Sequence, residues 1–189
     1  MRLISVNVGT PRTVPAGDRQ VLTAIVKAPV AGPVGVKTLN VDGDRQADLR
    51  VHGGPAKAVY LYPHEHYAFW RGELPDMELT PGAFGENLTT EGVLETRVSP
   101  GDRVELGTAV FRVTTPRMPC FKLGIRFGRA DMVKRFWQSG RCGLYLAVER
   151  EGQIQAGDEI RVVRASADGR TIADAFLARA RAKGEQGPL

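Results

Sequence analysis

The sequence predicts a predominantly β fold, a strand-rich barrel with a few helices and one helix at its C-terminal end. Three observations carry that reading. The apolar runs are short and rich in Val, Leu and Tyr. Gly and Pro, 22 and 12 of the 189 residues, punctuate them with turns. Only three segments have helical periodicity. Strands are expected near 2–8, 21–28, 57–62, 102–106, 109–115, 143–149 and 159–164. Two of them enter alike, through Pro100-Gly101-Asp102 and Ala156-Gly157-Asp158. Gly-Asp is turn chemistry, and the residues after each turn alternate apolar with charged. That alternation implies antiparallel strands with one wet face. A first helix, 63–73, opens with Pro at a first-turn position. A second, 129–138, spaces Met132, Val133, Phe136 and Trp137 along one side. The third, 171–183, has Thr171 as its cap with Asp174 three residues on. Residues 1–165 then form one domain, and 166–189 a linker, helix and tail.

Composition narrows the function. A chain of 189 residues buries a core without staples, and 42% hydrophobic with 25% charged residues is ordinary for a globular protein. No stretch approaches the roughly 18–20 apolar residues of a membrane helix, nor does the N-terminus carry a secretion signal. The location expected is cytoplasmic. Two cysteines are too few for an iron–sulfur cluster, and in a reducing compartment they remain thiols. A net charge of +5 suits an anionic ligand but does not argue for nucleic acid.

Several segments hold candidate chemistry. In Thr115-Pro116-Arg117-Met118-Pro119-Cys120-Phe121-Lys122-Leu123, two prolines end a strand and stiffen a loop. Arg117 and Lys122 flank Cys120, and nearby cations favour the thiolate, the form that attacks and ligates metals. Against this stands the role of a small buried apolar residue. Cys142, beside Gly143 at a strand start, fits that packing role better. Its neighbour Arg141 suits either bidentate anion binding or a surface ion pair. In the run 43–54, Asp44 and Asp48 are a metal or acid–base pair, or a turn whose Asp side chains bond local backbone. His52, before Gly53-Gly54, is a ligand or a structural hydrogen-bonder. The loop Phe84-Gly85-Glu86-Asn87-Leu88 lacks the dinucleotide-binding glycine pattern, but can aim Asn87 and backbone N–H groups at an anion, or simply connect. His64-Glu65-His66 is rejected as a zinc chelate, because helical residues two apart diverge.

Taken together, the run 37–54 with its Gly-Asp-Arg-Gln-Ala-Asp and His-Gly-Gly, Phe84-Gly85-Glu86-Asn87-Leu88-Thr89, the Pro116–Lys122 loop and Arg141-Cys142-Gly143-Leu144-Tyr145 resemble the MOSC domain, as found in molybdenum-cofactor sulfurases. The likeness is greatest to its bacterial YiiM-like branch and covers about 1–165. It implies a strand-rich barrel. It implies that Cys120 is the reactive cysteine, ligating molybdenum or carrying sulfur. It further implies that Asn87, Arg117, Lys122, Arg141 and His52 hold the molybdenum cofactor (molybdopterin). YiiM-like proteins commonly end in three helices, whereas only 171–183 is helical here.

The function expected is reduction of N-hydroxylated compounds, including base analogues, on that cofactor. A soft thiolate suits molybdenum, and fixed cations suit the pterin phosphate. With no flavin fingerprint, the electrons come from a separate donor reductase. One alternative is a sulfur carrier with a Cys120 persulfide. Another is a nucleic-acid accessory protein, suggested by Arg179, Arg181 and Lys183. Those three are more simply cations complementing a helix C-terminus.

Overall fold

The computed structural model of the chain describes residues 1–47, 53–166 and 169–184. Strands β1 (Arg2–Val8), β2 (Arg12–Ala16), β3 (Arg19–Thr23), β4 (Ala28–Val30), β5 (Val34–Lys37) and β6 (Asn40–Val41) precede β7 (Val59–Pro63). Helix α1 (Glu65–Glu73) leads to β8 (Leu88–Glu91), β9 (Arg103–Leu106) and β10 (Ala109–Pro116). Helices α2 (Phe121–Phe127) and α3 (Met132–Ser139) come next, then β11 (Leu144–Arg150), β12 (Gly152–Ile154), β13 (Ile160–Val163) and α4 (Ile172–Ala182).

The main sheet runs β13-β9-β10-β11-β7-β8-β1-β4, and among the described residues β7–β8 is its single parallel pair. Strand β7, Val-Tyr-Leu-Tyr-Pro, is buried at every position, as a strand covered on both faces must be. Strand β9 alternates Arg103 and Glu105 with buried Val104 and Leu106, which is the predicted wet face. The two Gly-Asp turns repeat one device. Gly101 and Gly157 both take φ 97°, a conformation that favours glycine. Asp102 accepts the Ser99 N–H at 2.9 Å, and Asp158 accepts the Gln155 N–H at 2.9 Å.

The strand-rich fold agrees with the sequence, but no closed ladder is found among the described residues. Strand β1 meets the approach to β13 through one isolated bridge, Arg2 to Glu159. Around it Leu3 N–H donates to Asp158 and Ile160 N–H to Met1, each at 2.9 Å. The expected strand 21–28 is also two strands. Thr23 Oγ1 accepts the Ile25 N–H at 3.2 Å, which turns the chain out of the ladder over 24–27. The sequence pattern does not predict helix α2, whose apolar spacing Gly124 interrupts. Helix α4 has the predicted capping box between Thr171 and Asp174, and it docks by stacking Phe176 on Trp137, ring centroids 4.8 Å apart.

Glu86 organises the turn before β8. Its carboxylate, fully buried, accepts the Gly82 N–H at 2.9 Å, the Phe84 N–H at 3.1 Å and the Thr89 hydroxyl at 2.8 Å. The Tyr67 hydroxyl of α1 donates to it as well. Burial raises the Glu86 pKa, with the Tyr67 hydroxyl and the Gly82 N–H pulling it back. The folded state therefore holds a proton that the unfolded chain has already lost. Over that window this group's contribution to stability falls as pH rises. Glu86→Ala strands the Gly82 and Phe84 N–H groups and the Thr89 hydroxyl, while Tyr67 keeps the Thr80 carbonyl, and should cost about 3–5 kcal/mol in urea unfolding. Glu86→Gln should cost less and flatten the dependence of stability on pH in the mildly acidic range; an unchanged slope would contradict the assignment.

Candidate functional site

A solvent-open cleft forms where Tyr60 of β7 and Tyr145 of β11 meet the loops 24–27, 44–47, 84–87 and 117–122. Pro116 ends β10, and the chain leaves the sheet as Arg117-Met118-Pro119-Cys120. Cys120 is extended, at φ −133° and ψ 167°, and its carbonyl accepts the Leu123 N–H at 2.9 Å to open α2. Its side chain, half-buried, lines the cleft.

Arg117 stands next to it and is only 5% exposed. Its guanidinium lies 4.9 Å from the Phe136 ring centroid and 5.5 Å from that of Tyr60. Those π faces stabilise a cation without taking up its N–H groups. Nη1 accordingly has no hydrogen-bond partner. Leaving a buried donor unpaired costs about 1–3 kcal/mol, which an anionic ligand recovers. Burial pulls the Arg117 pKa down, but Tyr60, Tyr145 and Cys120 outweigh it and hold the group cationic.

Sequence reasoning missed Lys27, which it placed inside a strand. Lys27 Nζ pairs with Asp44 Oδ1 in the cleft wall, their side chains 8% and 1% exposed. Burial lowers the lysine pKa against the pull of Asp44. Oδ1 also accepts the Gly9 N–H at 2.9 Å, a backbone bond to a distant segment rather than to its own turn, while Oδ2 has no partner. Among the described residues Lys27, Arg45, Lys57, Arg117 and Lys122 line the cleft against one carboxylate, Asp44. The lining is therefore cationic on balance, with apolar walls from Ile25, Phe84 and Met118, a character that suits an anion.

Cys120, Arg117, Lys122 and Asn87 thus gather in one place. Asn87, however, already has framework bonds. Its Oδ1 accepts the Tyr60 N–H at 3.1 Å, and Nδ2 donates to the Asn7 carbonyl at 3.4 Å. Arg141 is elsewhere: its guanidinium covers the Phe69 ring at 3.8 Å and donates to the Ser139 carbonyl at 2.9 Å. His52 and Asp48 lie outside the described residues. No cluster of three or more metal-ligating side chains occurs among the described residues. His64 stacks on Tyr67 and His66 pairs with Glu95 at 2.8 Å, so the two imidazoles diverge as the helical spacing required.

The loop bearing Cys142 is held from beneath. Tyr60 donates to the Cys142 carbonyl at 2.9 Å and Tyr62 to that of Arg141 at 3.1 Å. Glu95 accepts the Gly143 N–H at 2.6 Å. Gly143 has φ 64°, and a Cβ there would lie 2.5 Å from the Leu61 carbonyl oxygen, so only glycine fits.

Residues 48–161 match the family described as the MOSC domain. The chain belongs to the MOSC domain family. It is 42% identical over 161 residues to "Uncharacterized protein YflK" of Bacillus subtilis, covering 85% of this chain and 72% of that one. A protein named "Reductase" from Gibberella moniliformis is 39% identical over 147 residues, 76% of this chain but 26% of its own. The crystal structure of YiiM from Geobacillus stearothermophilus has a TM-score of 0.76 at 32% identity, covering 100% of this chain and 93% of that one. These relatives support the YiiM-like branch of the MOSC family. No helix among the described residues is long and apolar enough to cross a membrane.

The two thiols of this MOSC domain differ in access. Cys142 is fully buried, and burial first, then Glu95, push its pKa well up. Iodoacetamide at neutral pH should therefore modify Cys120 and spare Cys142 until the chain unfolds. Peptide mass spectrometry reads this directly, and equal labelling of both would refute the difference.

Proposed function

We propose that this MOSC protein is a molybdenum-cofactor-dependent reductase of N-hydroxylated compounds, base analogues among them, driven by electrons from a separate protein. The observation that carries the reading is the unpartnered Arg117 Nη1, buried beside Cys120 in a cation-lined cleft. The residues fit the cofactor: a phosphate needs fixed donors, and molybdenum accepts a soft thiolate. Arg117 and Lys122 would hold the phosphate and Cys120 would ligate the metal. Asn87 has one amide hydrogen left for the pterin, and the apolar walls would keep water from the buried part of the ring system. Arg141 and His52 remain assignments from the family resemblance.

When bound, the cofactor supplies two-electron exchange of an oxygen atom. The overall change is R–NHOH with two electrons and two protons giving R–NH2 and water, so the N–O bond breaks and its oxygen leaves as water. The protons enter from solvent through the open mouth. Arg117 keeps its charge throughout, because its pKa is held above the ordinary arginine value.

Protein purified from cofactor-competent cells should contain molybdenum and yield a fluorescent pterin on oxidation; protein from cofactor-deficient cells should contain neither. Arg117→Ala should weaken pterin retention by about 1.5–3 kcal/mol, the loss for a charge-assisted hydrogen bond. Cys120→Ser should melt near the wild type yet lose turnover of an N-hydroxylated substrate with a reduced dye, whereas Cys142→Ser should keep most of it. Absence of pterin even after reconstitution would overturn the reductase reading. A Cys120 persulfide found by mass spectrometry in such protein would establish the sulfur carrier instead.

A further inference from the structure

We infer that the Lys27–Asp44 pair selects the substrate, taking a neutral compound in which an N–H group neighbours an unprotonated nitrogen, the edge of an amidine or an aminated heterocycle. The inference rests on the proposed reduction for the fate of that compound, and on the pair itself for its recognition. Lys27 and Asp44 both line the cleft, with side chains 8% and 1% exposed. Neither is used up by the other. Asp44 Oδ1 is the one hydrogen-bond partner of Lys27 Nζ among the described residues, so two ammonium N–H groups are left. Asp44 Oδ2 is buried and has no partner among them. A buried ion pair is costly unless its remaining donors and acceptors are met.

The pair is also held in place. The Asp44 N–H donates to the Val41 carbonyl at 3.1 Å, and the Asn40 amide donates to the Asp44 carbonyl at 3.1 Å. The Arg45 N–H donates to the Gly9 carbonyl, and the Gly9 N–H to Asp44 Oδ1, each at 2.9 Å. Gly9 lets the loop bearing Lys27 close in. A Cβ there would lie 2.5 Å from the Val26 carbonyl oxygen and 3.2 Å from Lys27 Cγ. Donor and acceptor therefore stand side by side at a fixed spacing.

That arrangement has a definite complement. A ligand N–H meets Oδ2 while the lone pair of the neighbouring nitrogen takes a lysine N–H. The pair as a whole adds no net charge, and Arg45, Lys57, Arg117 and Lys122 line the same cleft. A protonated amidine has lost its acceptor and brings a further cation, so it is disfavoured on both counts. Tertiary N-oxides lack the N–H, and alkyl hydroxylamines lack the neighbouring acceptor. In a hydroxylaminated heterocycle the N–H stands on the nitrogen that loses its oxygen, so a grip on this edge orients the N–O bond. The groups proposed for the cofactor come from the 117–122 loop and Asn87, which leaves loops 24–27 and 44–47 to the substrate.

The probes are 2-aminoquinazoline, quinazoline, 2-aminonaphthalene and benzamidine, none of which has an N–O bond to reduce. Each is measured by equilibrium dialysis against protein purified from cofactor-competent cells. 2-Aminoquinazoline presents donor and acceptor together. It should bind about tenfold or more tighter than quinazoline, which lacks the N–H, or 2-aminonaphthalene, which lacks the ring nitrogens. Benzamidine, cationic at neutral pH, should not bind. Asp44→Asn puts an amide N–H2 in place of Oδ2, while its oxygen can keep the bonds of Oδ1. The preference for 2-aminoquinazoline over quinazoline should then shrink to within about twofold. Should that variant melt well below the wild type, the four probes on the wild type still decide. No binding of 2-aminoquinazoline, equal affinity for the three neutral probes, tighter binding of benzamidine, or an intact preference in folded Asp44→Asn would overturn the proposal. So would a preference present in cofactor-free protein and lost on loading, which would give the pair to the pterin instead. The reductase reading fails on different results, the absence of pterin or of dye-driven turnover, neither of which alters the probe preference.

Discussion

The structure depends on carboxylates buried where loops, not ladders, must satisfy the backbone. Glu86 takes up the N–H groups of Gly82 and Phe84 and the hydroxyls of Tyr67 and Thr89. Glu95 takes up the N–H of Gly143 and the imidazole of His66. Without such acceptors, the turns that carry Asn87 and Cys142 would bury unpaired donors and would not hold one shape. The expense is desolvation of a carboxylate, visible in the raised pKa of Glu86. It is tolerated because each oxygen meets several donors, the condition under which a buried polar network specifies a conformation.

That rigid frame lets the cleft carry charge that is poorly compensated. Arg117 is held between Tyr60 and Phe136 by ring faces, which leave an N–H unused. A carboxylate in their place would have quenched the site. Lys27 has such a partner in Asp44, but one oxygen of that carboxylate is unused as well. Donor and acceptor are therefore both presented from walls that other bonds fix. A ligand meets groups already oriented, so little ordering entropy opposes its binding.

Much of this was legible in the sequence. The Gly-Asp turns, the strands at 2–8, 103–106 and 109–116, and the capped helix after Thr171 arise from local chemistry, and the structure has them. The unreadable parts depend on partners distant in the chain. Glu86 has local donors in Gly82, Phe84 and Thr89, but the Tyr67 hydroxyl that also binds it comes from α1, and Glu95 takes its donors from α1 and the 141–143 loop, contacts that sequence spacing does not encode. Lys27 looked like the end of a strand until Thr23 turned the chain. Arg141 carried the right chemistry at a strand start, yet the ring of Phe69 captures it, a contact that sequence spacing does not encode. The barrel expectation failed to fix closure for the same reason: closure depends on β1 reaching the approach to β13, residues at opposite ends of the chain.

The distribution of charge separates two tasks. On the outer face of the sheet, Arg103 and Arg112 share Glu149 and Arg161 pairs with Glu105, exposed contacts worth little to stability. Around the cleft, Lys27 pairs with Asp44, but Arg117 is held by ring faces and leaves Nη1 without a partner. Arg126 illustrates the cost, its pKa lowered by burial first and then by the charge of Arg12. Local rules that are broken in one region and obeyed elsewhere locate function, since the cost is borne where a ligand or partner can relieve it.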